Sequence, residues 1–210
     1  MALYVTEQEV ERLVDICDAI TAFKGAARFL VFLFDNHNGE LRAIIEADKL
    51  GQLRTGAASG AATKNLARQN VETLGIIGSG FRAESQLAAA ISVRDFNSVK
   101  VFSRNFDHAK QFCKKLQSVS KPKLEAVRNV EEAASADVVT TVTSALSPVL
   151  FGDMTKPGCH INAVGGNMLI KREIDEKVVE LANLIVIDSR EQGEKECGDF
   201  LPVRERPTAS

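Results

Sequence analysis

Three small residues with the spacing of a phosphate-binding turn occur at Gly78, Gly80 and Ala83, in the pattern G-x-G-x-x-A. An apolar run at residues 73–77 predicts a strand directly before them, and helical spacing follows over residues 84–93. In such a turn the first glycine permits a tight bend, the second lets the backbone approach a pyrophosphate, and the small third residue allows close helix packing. The sequence therefore predicts a dinucleotide site, with an ordinary glycine-rich strand–helix turn as the alternative. The predicted cofactor contacts in this turn are Gly78, Gly80, Phe81 and Arg82.

The next predicted strand, at residues 99–103, ends in a hydroxyl and a guanidinium. Ser103, Arg104 and Asn105 stand close to where an acidic residue would bind the ribose 2′-hydroxyl of NAD. The nearest acid, Asp107, lies further on, at the start of the next predicted helix. Because arginine presents a charged, bidentate fork that suits a 2′-phosphate, these three residues favour NADP(H) over NAD(H) as the cofactor. The alternative is that Arg104 is solvated, or stacks on adenine without setting the preference.

From residue 71 onward, apolar strand patterns alternate with helical patterns. Such alternation predicts βαβ units and a parallel sheet, whose ligands bind at the carboxyl ends of the strands. The predicted fold class is therefore α/β, a Rossmann-like doubly wound parallel sheet. The predicted strands are residues 73–77, 99–103, 124–127, 137–142, 160–164 and 184–188, and the predicted helices are residues 84–93, 107–118, 130–134 and 172–182.

The segment before residue 71 has a different pattern. A turn cluster that ends in Asn38-Gly39 separates two apolar runs and predicts a β-hairpin. The elements predicted here are a strand at residues 3–5, a helix at 6–19, hairpin strands at 29–34 and 41–45, and a long helix at 47–69.

The composition is that of a globular protein of 210 residues, with 45% hydrophobic residues, 26% charged residues and a formal net charge of −2. Because nucleic acids and anionic membranes attract proteins with a basic excess, we expect neither as a partner. The longest apolar run, Phe29–Phe34, is too short to cross a bilayer. The cysteines lack any C-x-x-C spacing, which predicts reduced thiols, no metal site and a cytoplasmic protein. These cysteines are Cys17, Cys113, Cys159 and Cys197.

Four motifs occur in order: residues 53–59 (L-R-T-G-A-A-S), the glycine turn, residues 160–165 (H-I-N-A-V-G) and residues 187–192 (I-D-S-R-E-Q). Together they resemble the ornithine cyclodeaminase/mu-crystallin family. The resemblance implies an NAD(P)-dependent oxidoreductase acting on a small amino acid or its cyclic imine, of the ketimine reductase or cyclodeaminase type. A non-enzymatic NADPH-binding protein and an inactive truncated member are the alternatives. Members of the family are typically homodimers, joined through the lobe outside the Rossmann domain.

The resemblance also implies roles for residues at matching positions. Arg54 matches an arginine that binds the substrate carboxylate, which suits a guanidinium because it can donate two parallel hydrogen bonds. Taken alone, Arg54 could equally be a surface residue of a helix. His160 is interpreted as a buried core histidine rather than a catalytic one. The further cofactor contacts that the resemblance implies are Thr55, Thr141, Thr143, Ala163, Val164 and Lys171.

Three departures from the family bear on activity. Asn167 stands at the family's acidic catalytic position, and an amide cannot act as a general base, which argues against a cyclodeaminase. Only a few residues separate the helix predicted at 6–19 from the strand at Phe29–Phe34, where the family has a long segment with a substrate-binding arginine and a catalytic lysine. The chain also ends soon after Asp199, where the family continues.

These departures predict an internally deleted and C-terminally truncated member of the family, with an incomplete α+β lobe. The expected parts are residues 1–70, a partial substrate and dimerisation lobe with a connecting helix; residues 71–200, an NAD(P)-binding Rossmann domain; and residues 201–210, a frayed tail.

Overall fold

The computed structural model describes residues 3–5, 20–24, 29–166 and 168–200. The chain divides into two compact units, Met1–Thr55 and Gly56–Ser210. The helix predicted at residues 6–19 and the tail predicted at residues 201–210 lie outside the described residues. The domain boundary after residue 70 stays a prediction, since the division into units falls inside the long helix that precedes it.

The first unit contains a four-stranded sheet in the order β1-β4-β3-β2. The predicted hairpin is confirmed, because β3 and β4 are antiparallel and Gly39 in the turn between them has φ +72°. The second strand was not predicted, because the run I-T-A-F-K is short and does not alternate between apolar and polar residues. The strands are β1 (Leu3–Val5), β2 (Ile20–Lys24), β3 (Phe29–Phe34) and β4 (Leu41–Glu46).

The second unit contains a five-stranded sheet in the order β7-β6-β5-β8-β9, and all its neighbouring strands are parallel. This is the order 3-2-1-4-5 of a doubly wound sheet, so the predicted Rossmann-like α/β class is confirmed. Its strands are β5 (Thr73–Ile77), β6 (Ser98–Phe102), β7 (Lys123–Val127), β8 (Val138–Thr141) and β9 (His160–Ala163).

Six α-helices accompany these strands in the described residues. The first begins in the first unit and ends in the second. None of the helices in the described residues is long and apolar enough to cross a membrane. The helices are α1 (Asp48–Leu66), α2 (Ala83–Val93), α3 (Phe106–Leu116), α4 (Val130–Ala134), α5 (Glu176–Leu181) and α6 (Arg190–Glu196).

Two inner strands of the second sheet, the central strand β5 and its neighbour β8, are buried on both faces. Leu74, Ile76 and Val138 belong to one apolar cluster, whereas Ile77 and Val139 belong to another. Because successive side chains of a strand point to opposite faces, the two clusters cover the two faces of the sheet. The near-continuous apolar runs of these strands are therefore explained by burial on both sides.

The predictions after β9 need two corrections. The strand predicted at residues 184–188 is wrong: this segment is irregular, and Leu184, Ile185, Val186 and Ile187 are 38–69% exposed. Its apolar, β-branched sequence favours a strand, but that preference is realised only where a neighbouring strand and a packing surface are present. Among the described strands, β9 pairs only with β8, and none pairs with residues 184–188. The helix predicted at 172–182 begins later, at Glu176, where the Asp175 carboxylate accepts a hydrogen bond from Val178 N and caps it.

A chain of side-chain hydrogen bonds connects β9 with α1. The Asn162 amide donates to Thr63 Oγ1 at 3.0 Å, and both residues are buried. His160 Nε2 lies 3.2 Å from Asn162 Oδ1, the geometry of an imidazole N–H that donates to the amide oxygen. Burial lowers the pKa of His160 below its ordinary value of 6.5, so the neutral ring is favoured in the folded chain. His160 is half-buried and hydrogen-bonded within the chain, and its assignment as a core rather than a catalytic residue stays a prediction.

The depressed pKa of His160 predicts an acid-sensitive fold. The unfolded chain binds a proton at His160 below about pH 6.5, whereas the folded chain binds it only at lower pH. The free energy of unfolding should therefore fall as the pH drops below about 6.5, and His160 should contribute nothing to this slope above that pH. Urea denaturation between pH 5 and 8 measures the slope, which His160→Gln should flatten. His37→Gln, in the exposed hairpin turn, is the control and should leave the pH dependence of the free energy of unfolding unchanged. The same pH dependence in the two variants would show that His160 does not cause the acid sensitivity.

Candidate functional site

The carboxyl ends of the five parallel strands lie at one edge of the second sheet. The register pairs Ile77 with Phe102 on one side and with Thr141 on the other, and continues to Val127 and Ala163. Because these residues end their strands, the segments that follow them leave the sheet side by side. Ligands of doubly wound sheets bind at this edge, where the strand order reverses, and here it reverses between β5 and β8.

The glycine turn follows β5 at this reversal point. Gly78 has φ +113°, and a Cβ added to it would lie 2.4 Å from the carbonyl oxygen of Val142, so only glycine fits. A Cβ added to Gly80, in contrast, would meet no atom within 4 Å. Packing within the chain therefore does not require glycine at position 80. The open space beside Gly80 fits the close approach of a pyrophosphate to the backbone.

Helix α2 begins directly after the glycine turn without a side-chain cap. The residue at its N-cap position, Arg82, makes no capping hydrogen bond, whereas Asn105, Asp175 and Ser189 cap α3, α5 and α6. The first N–H groups of a helix carry partial positive charge and bind phosphate readily. Phe81, at 61% exposure, and Arg82 lie on the surface beside this helix end. The turn and the helix together fit the pyrophosphate of a dinucleotide.

The segment after β6 combines a free cation with a helix cap. Asn105 Oδ1 accepts a hydrogen bond from Asp107 N at 2.9 Å and caps α3. Asp107 forms an ion pair with Lys110 at 2.6 Å, one turn along the same helix. Arg104 is exposed, Ser103 is half-buried, and Arg104 forms no salt bridge with a described carboxylate. Arg104 is therefore available to a phosphate, while Asn105 caps α3 and its predicted contact with a cofactor stays a prediction.

A buried carboxylate, Glu173, connects the ends of β8 and β9. Its side chain is 0% exposed and accepts four hydrogen bonds. Thr141 Oγ1 donates to Oε2 at 2.8 Å, and the backbone N of Gly165 donates to the same oxygen. The backbone N and Oγ1 of Thr143 both donate to Oε1. Since a buried charge is costly unless its hydrogen bonds are satisfied, this carboxylate fixes the two strand ends relative to each other.

A second buried carboxylate, Asp199, holds the segment that carries Glu173. Asp199 Oδ1 accepts hydrogen bonds from the backbone N of Glu173 at 2.7 Å and of Ile174 at 3.1 Å. Burial raises the pKa of Asp199 above its ordinary value of 3.8, and the Glu173 carboxylate acts in the same direction, against the two backbone hydrogen bonds. The two acids thus form a linked support beneath the ends of β8 and β9.

Sequence reasoning did not identify Glu173 or Asp199 as parts of this site. Glu173 was placed in the helix predicted at residues 172–182 and was given no role in the site. Nothing in the local sequence distinguishes a buried acid from a solvated one. Hydroxyl-bearing strand ends such as Thr141 and Thr143 were the available signal, because such donors need an acceptor when they are buried.

The remaining predicted site residues are distributed as follows. Thr141 and Thr143 donate their hydroxyl hydrogens to Glu173, so a direct contact of either with a cofactor stays a prediction. Ala163 is exposed at the end of β9, and Val164 N donates to the carbonyl of Thr141 at 3.0 Å. Lys171 is half-buried in the loop before Glu173. Asn167 lies outside the described residues.

Arg54 and Thr55 belong to the first unit, in the helix α1. Arg54 is exposed, and Thr55 Oγ1 donates to the carbonyl of Gly51 at 2.8 Å, one turn earlier. Their predicted roles toward substrate and cofactor stay predictions.

The carboxylate of Glu173 should be essential for the stability of the second unit. Glu173→Gln keeps one oxygen that can accept hydrogen bonds but replaces the other with an NH2 group, whose hydrogens would face donors of the chain. The change should therefore lower the free energy of unfolding by about 2–4 kcal/mol. Urea denaturation measures the loss. Glu180→Gln, on the exposed surface of α5, is the matched control and should change stability by less than about 0.5 kcal/mol. Equal stability of the two variants would show that Glu173 does not support these strand ends.

The sequence of the chain is similar to several curated proteins. It is 39% identical over 178 residues to Delta(1)-pyrroline-2-carboxylate reductase of Bacillus cereus, a match that covers 84% of this chain and 54% of the relative. It is 37% identical over 172 residues to ketimine reductase mu-crystallin of Rattus norvegicus, covering 81% of this chain and 53% of the relative. The chain therefore spans about half the length of the curated relatives it matches.

Solved structures share this fold. Thermococcus litoralis Delta(1)-pyrroline-2-carboxylate reductase, in complex with NADH and L-proline, superposes with a TM-score of 0.80 at 32% identity. That match covers 93% of this chain and 58% of the other. An archaeal alanine dehydrogenase dimer with bound NAD has a TM-score of 0.81 at 24% identity, over 97% of this chain and 79% of the other, and shows the likeness in fold alone.

The family resemblance that the motifs indicated is confirmed over most of the chain. Residues 21–207 match the description "Ornithine cyclodeaminase/mu-crystallin family". This range includes the glycine turn and the two buried carboxylates that organise the edge of the sheet. The chain belongs to the ornithine cyclodeaminase/mu-crystallin family.

Proposed function

We propose that this chain binds NADP(H) and takes part in the reduction of a small cyclic imine to the corresponding amino acid. The observation that carries the proposal is the open space at Gly80, directly before the uncapped N-terminus of α2 at the reversal point of the sheet. Packing does not account for this glycine, whereas an approaching pyrophosphate does. The substrate class follows the relatives, which are pyrroline-2-carboxylate and ketimine reductases.

Each part of the edge then has its own task. The backbone at Gly78 and Gly80 and the first turn of α2 bind the pyrophosphate. Arg104, beyond the end of β6, binds the 2′-phosphate, and no acid stands at that strand end to bind a 2′-hydroxyl instead. This is the basis for favouring NADP(H) over NAD(H), although the Thermococcus litoralis reductase is in complex with NADH.

The ends of β8 and β9 face the reacting end of the cofactor. When bound, the dihydronicotinamide supplies a hydride to the imine carbon. Glu173 keeps the Thr143 and Gly165 backbones in one arrangement, so that the segment from Ala163 to Val164 presents a fixed surface. A rigid supporting shell of this kind is what orients reactants for transfer. Lys171 follows in the same loop and stays a proposed cofactor contact.

Arg54 and Asn167 are the two residues on which the proposed substrate and reaction type depend. We assign to Arg54 the binding of the substrate carboxylate, because a guanidinium holds a carboxylate with two parallel hydrogen bonds. Asn167 can donate or accept a hydrogen bond but has no titratable proton, so it does not support the acid–base steps of a cyclodeaminase. The proposal is therefore a reductase. A homodimer and a cytoplasmic location remain predictions.

The cofactor site has a test that does not disturb the fold. Gly80→Asp places a carboxylate in the open space beside the proposed pyrophosphate, so it should weaken NADPH binding by about a hundredfold or more, through charge repulsion and lost access. The free energy of unfolding should stay within about 0.5 kcal/mol, because no atom is displaced.

Thermal-shift titrations with NADPH and NADH provide the measurement, since a ligand at one hundred times its Kd adds about 2.7 kcal/mol of stability. A shift at lower NADPH than NADH is expected for the unmodified chain. An unchanged NADPH affinity in Gly80→Asp would contradict the proposed site.

The reductase assignment predicts oxidation of NADPH in the presence of pyrroline-2-carboxylate or piperideine-2-carboxylate. Arg54→Lys keeps the charge but loses the fork, and should raise KM for the imine about tenfold or more while the Kd for NADPH is unchanged. Tight NADPH binding with no turnover of either imine would overturn the reductase proposal in favour of a non-enzymatic NADPH-binding protein.

A further inference from the structure

A second arginine, Arg128, follows the strand next to β6 at the carboxyl edge of the sheet. The register pairs Phe102 with Val127 at the ends of β6 and β7, so Ser103 and Arg128 leave the sheet at neighbouring positions. Arg128 had no predicted role, because it follows β7 rather than the strand end at which nucleotide preference is usually set. Its position next to the segment from Ser103 to Asn105 brings a further positive charge to the proposed 2′-phosphate side.

The guanidinium of Arg128 is held in place by an aromatic ring. Its Cζ lies 4.1 Å from the centroid of the Phe106 ring, and Lys110 Nζ lies 5.2 Å from the same centroid. Such stacking is a cation–π contact, which arginine makes well because its guanidinium is planar. Phe106 is the first residue of α3 and follows Arg104 by two positions. An exposed side chain that would otherwise sample many rotamers thus has a preferred place beside this loop.

The acid nearest to Phe106 on α3 is paired mainly with Lys110 rather than with Arg128. The nearest acid on α3, Asp107, has its pKa lowered first by its hydrogen bond to Lys110, with smaller contributions from Arg128 and His108. Lys110 is therefore paired within the chain. Over the ranges that the structure describes, neither Arg104 nor Arg128 forms a salt bridge with a carboxylate. Two exposed guanidiniums that follow adjacent strand ends suit a doubly charged phosphate.

We propose that Arg128, held over the Phe106 ring, is a second guanidinium for the 2′-phosphate of the nucleotide and shares the selection of NADP(H) with Arg104. The inference rests on the proposed function. Phe106 is a positioning residue, which acts through Arg128 rather than by touching the phosphate. The preference for NADP(H) over NAD(H) then depends on residues that follow two neighbouring strands, β6 and β7.

The test compares ligands that differ only in the 2′-phosphate. Isothermal titration at constant ionic strength gives the Kd of the unmodified chain and its variants for NADPH, NADH, adenosine 2′,5′-bisphosphate and AMP. Arg128→Ala should weaken binding of the two 2′-phosphorylated ligands about tenfold and change binding of the other two less than about twofold. Lys121→Ala, which removes an exposed cation before the amino end of the same strand, should change none of them.

Two further variants separate positioning from folding. Phe106→Leu keeps the apolar volume but removes the ring, so it should weaken binding of the 2′-phosphorylated ligands about threefold. Phe106→Tyr keeps an aromatic ring and should bind these ligands as tightly as the unmodified chain does. Thermal denaturation of each variant checks the fold. Equal losses for NADPH and NADH in Arg128→Ala, or no loss for either, would overturn the role of Arg128.

The unmodified chain distinguishes this inference from the proposed function. Binding of NADH and NADPH with equal affinity would overturn the shared selection but leave the dinucleotide site intact. Binding of neither cofactor would overturn the proposed function and this inference with it.

Discussion

The carboxylate of Glu173, fully removed from water, holds the ends of β8 and β9 at the carboxyl edge of the second sheet in one arrangement. Its two oxygens accept from Thr141, Thr143 and Gly165, which lie at or just after the ends of two adjacent strands. A charge in this position is tolerated only because every hydrogen bond is satisfied, and it is therefore sensitive to any displacement of its donors. Asp199 extends the same principle by holding the backbone of Glu173 itself. The segments that face the proposed nicotinamide position thus depend on two buried acids rather than on apolar packing alone.

Three regions of the carboxyl edge of the second sheet suit three different parts of the proposed site. Backbone groups at Gly78, Gly80 and α2 suit a pyrophosphate, and guanidiniums after β6 and β7 suit a 2′-phosphate. The Glu173 cluster supports the third region, at the ends of β8 and β9. Each proposed task would use a different physical feature: an open backbone with a helix dipole, exposed surface cations, and a buried hydrogen-bond network. Changes in one region are therefore expected to affect the others weakly.

Much of the second unit could be predicted from local sequence. The five parallel strands and the glycine turn follow from apolar periodicity and from glycine spacing, which depend on neighbouring residues only. Residues 184–188 show the limit, because a strand also needs a partner, and the sequence of the segment does not report whether one is available. Glu173, Asp199 and Arg128 show a second limit of prediction from local sequence, because their partners belong to other elements of the chain. Glu173 and Thr141 are 32 residues apart and Arg128 stacks on a ring of another element, so neither relation leaves a local pattern.

We propose that the carboxyl edge of this sheet binds NADPH with its pyrophosphate at the N-terminus of α2. The decisive experiment is a crystal structure of the chain with NADPH. We expect the pyrophosphate to contact the backbone at Gly80 and the first turn of α2, with the 2′-phosphate beside Arg104 and Arg128. A cofactor bound elsewhere on the chain, or a pyrophosphate remote from Gly80, would contradict the proposed site.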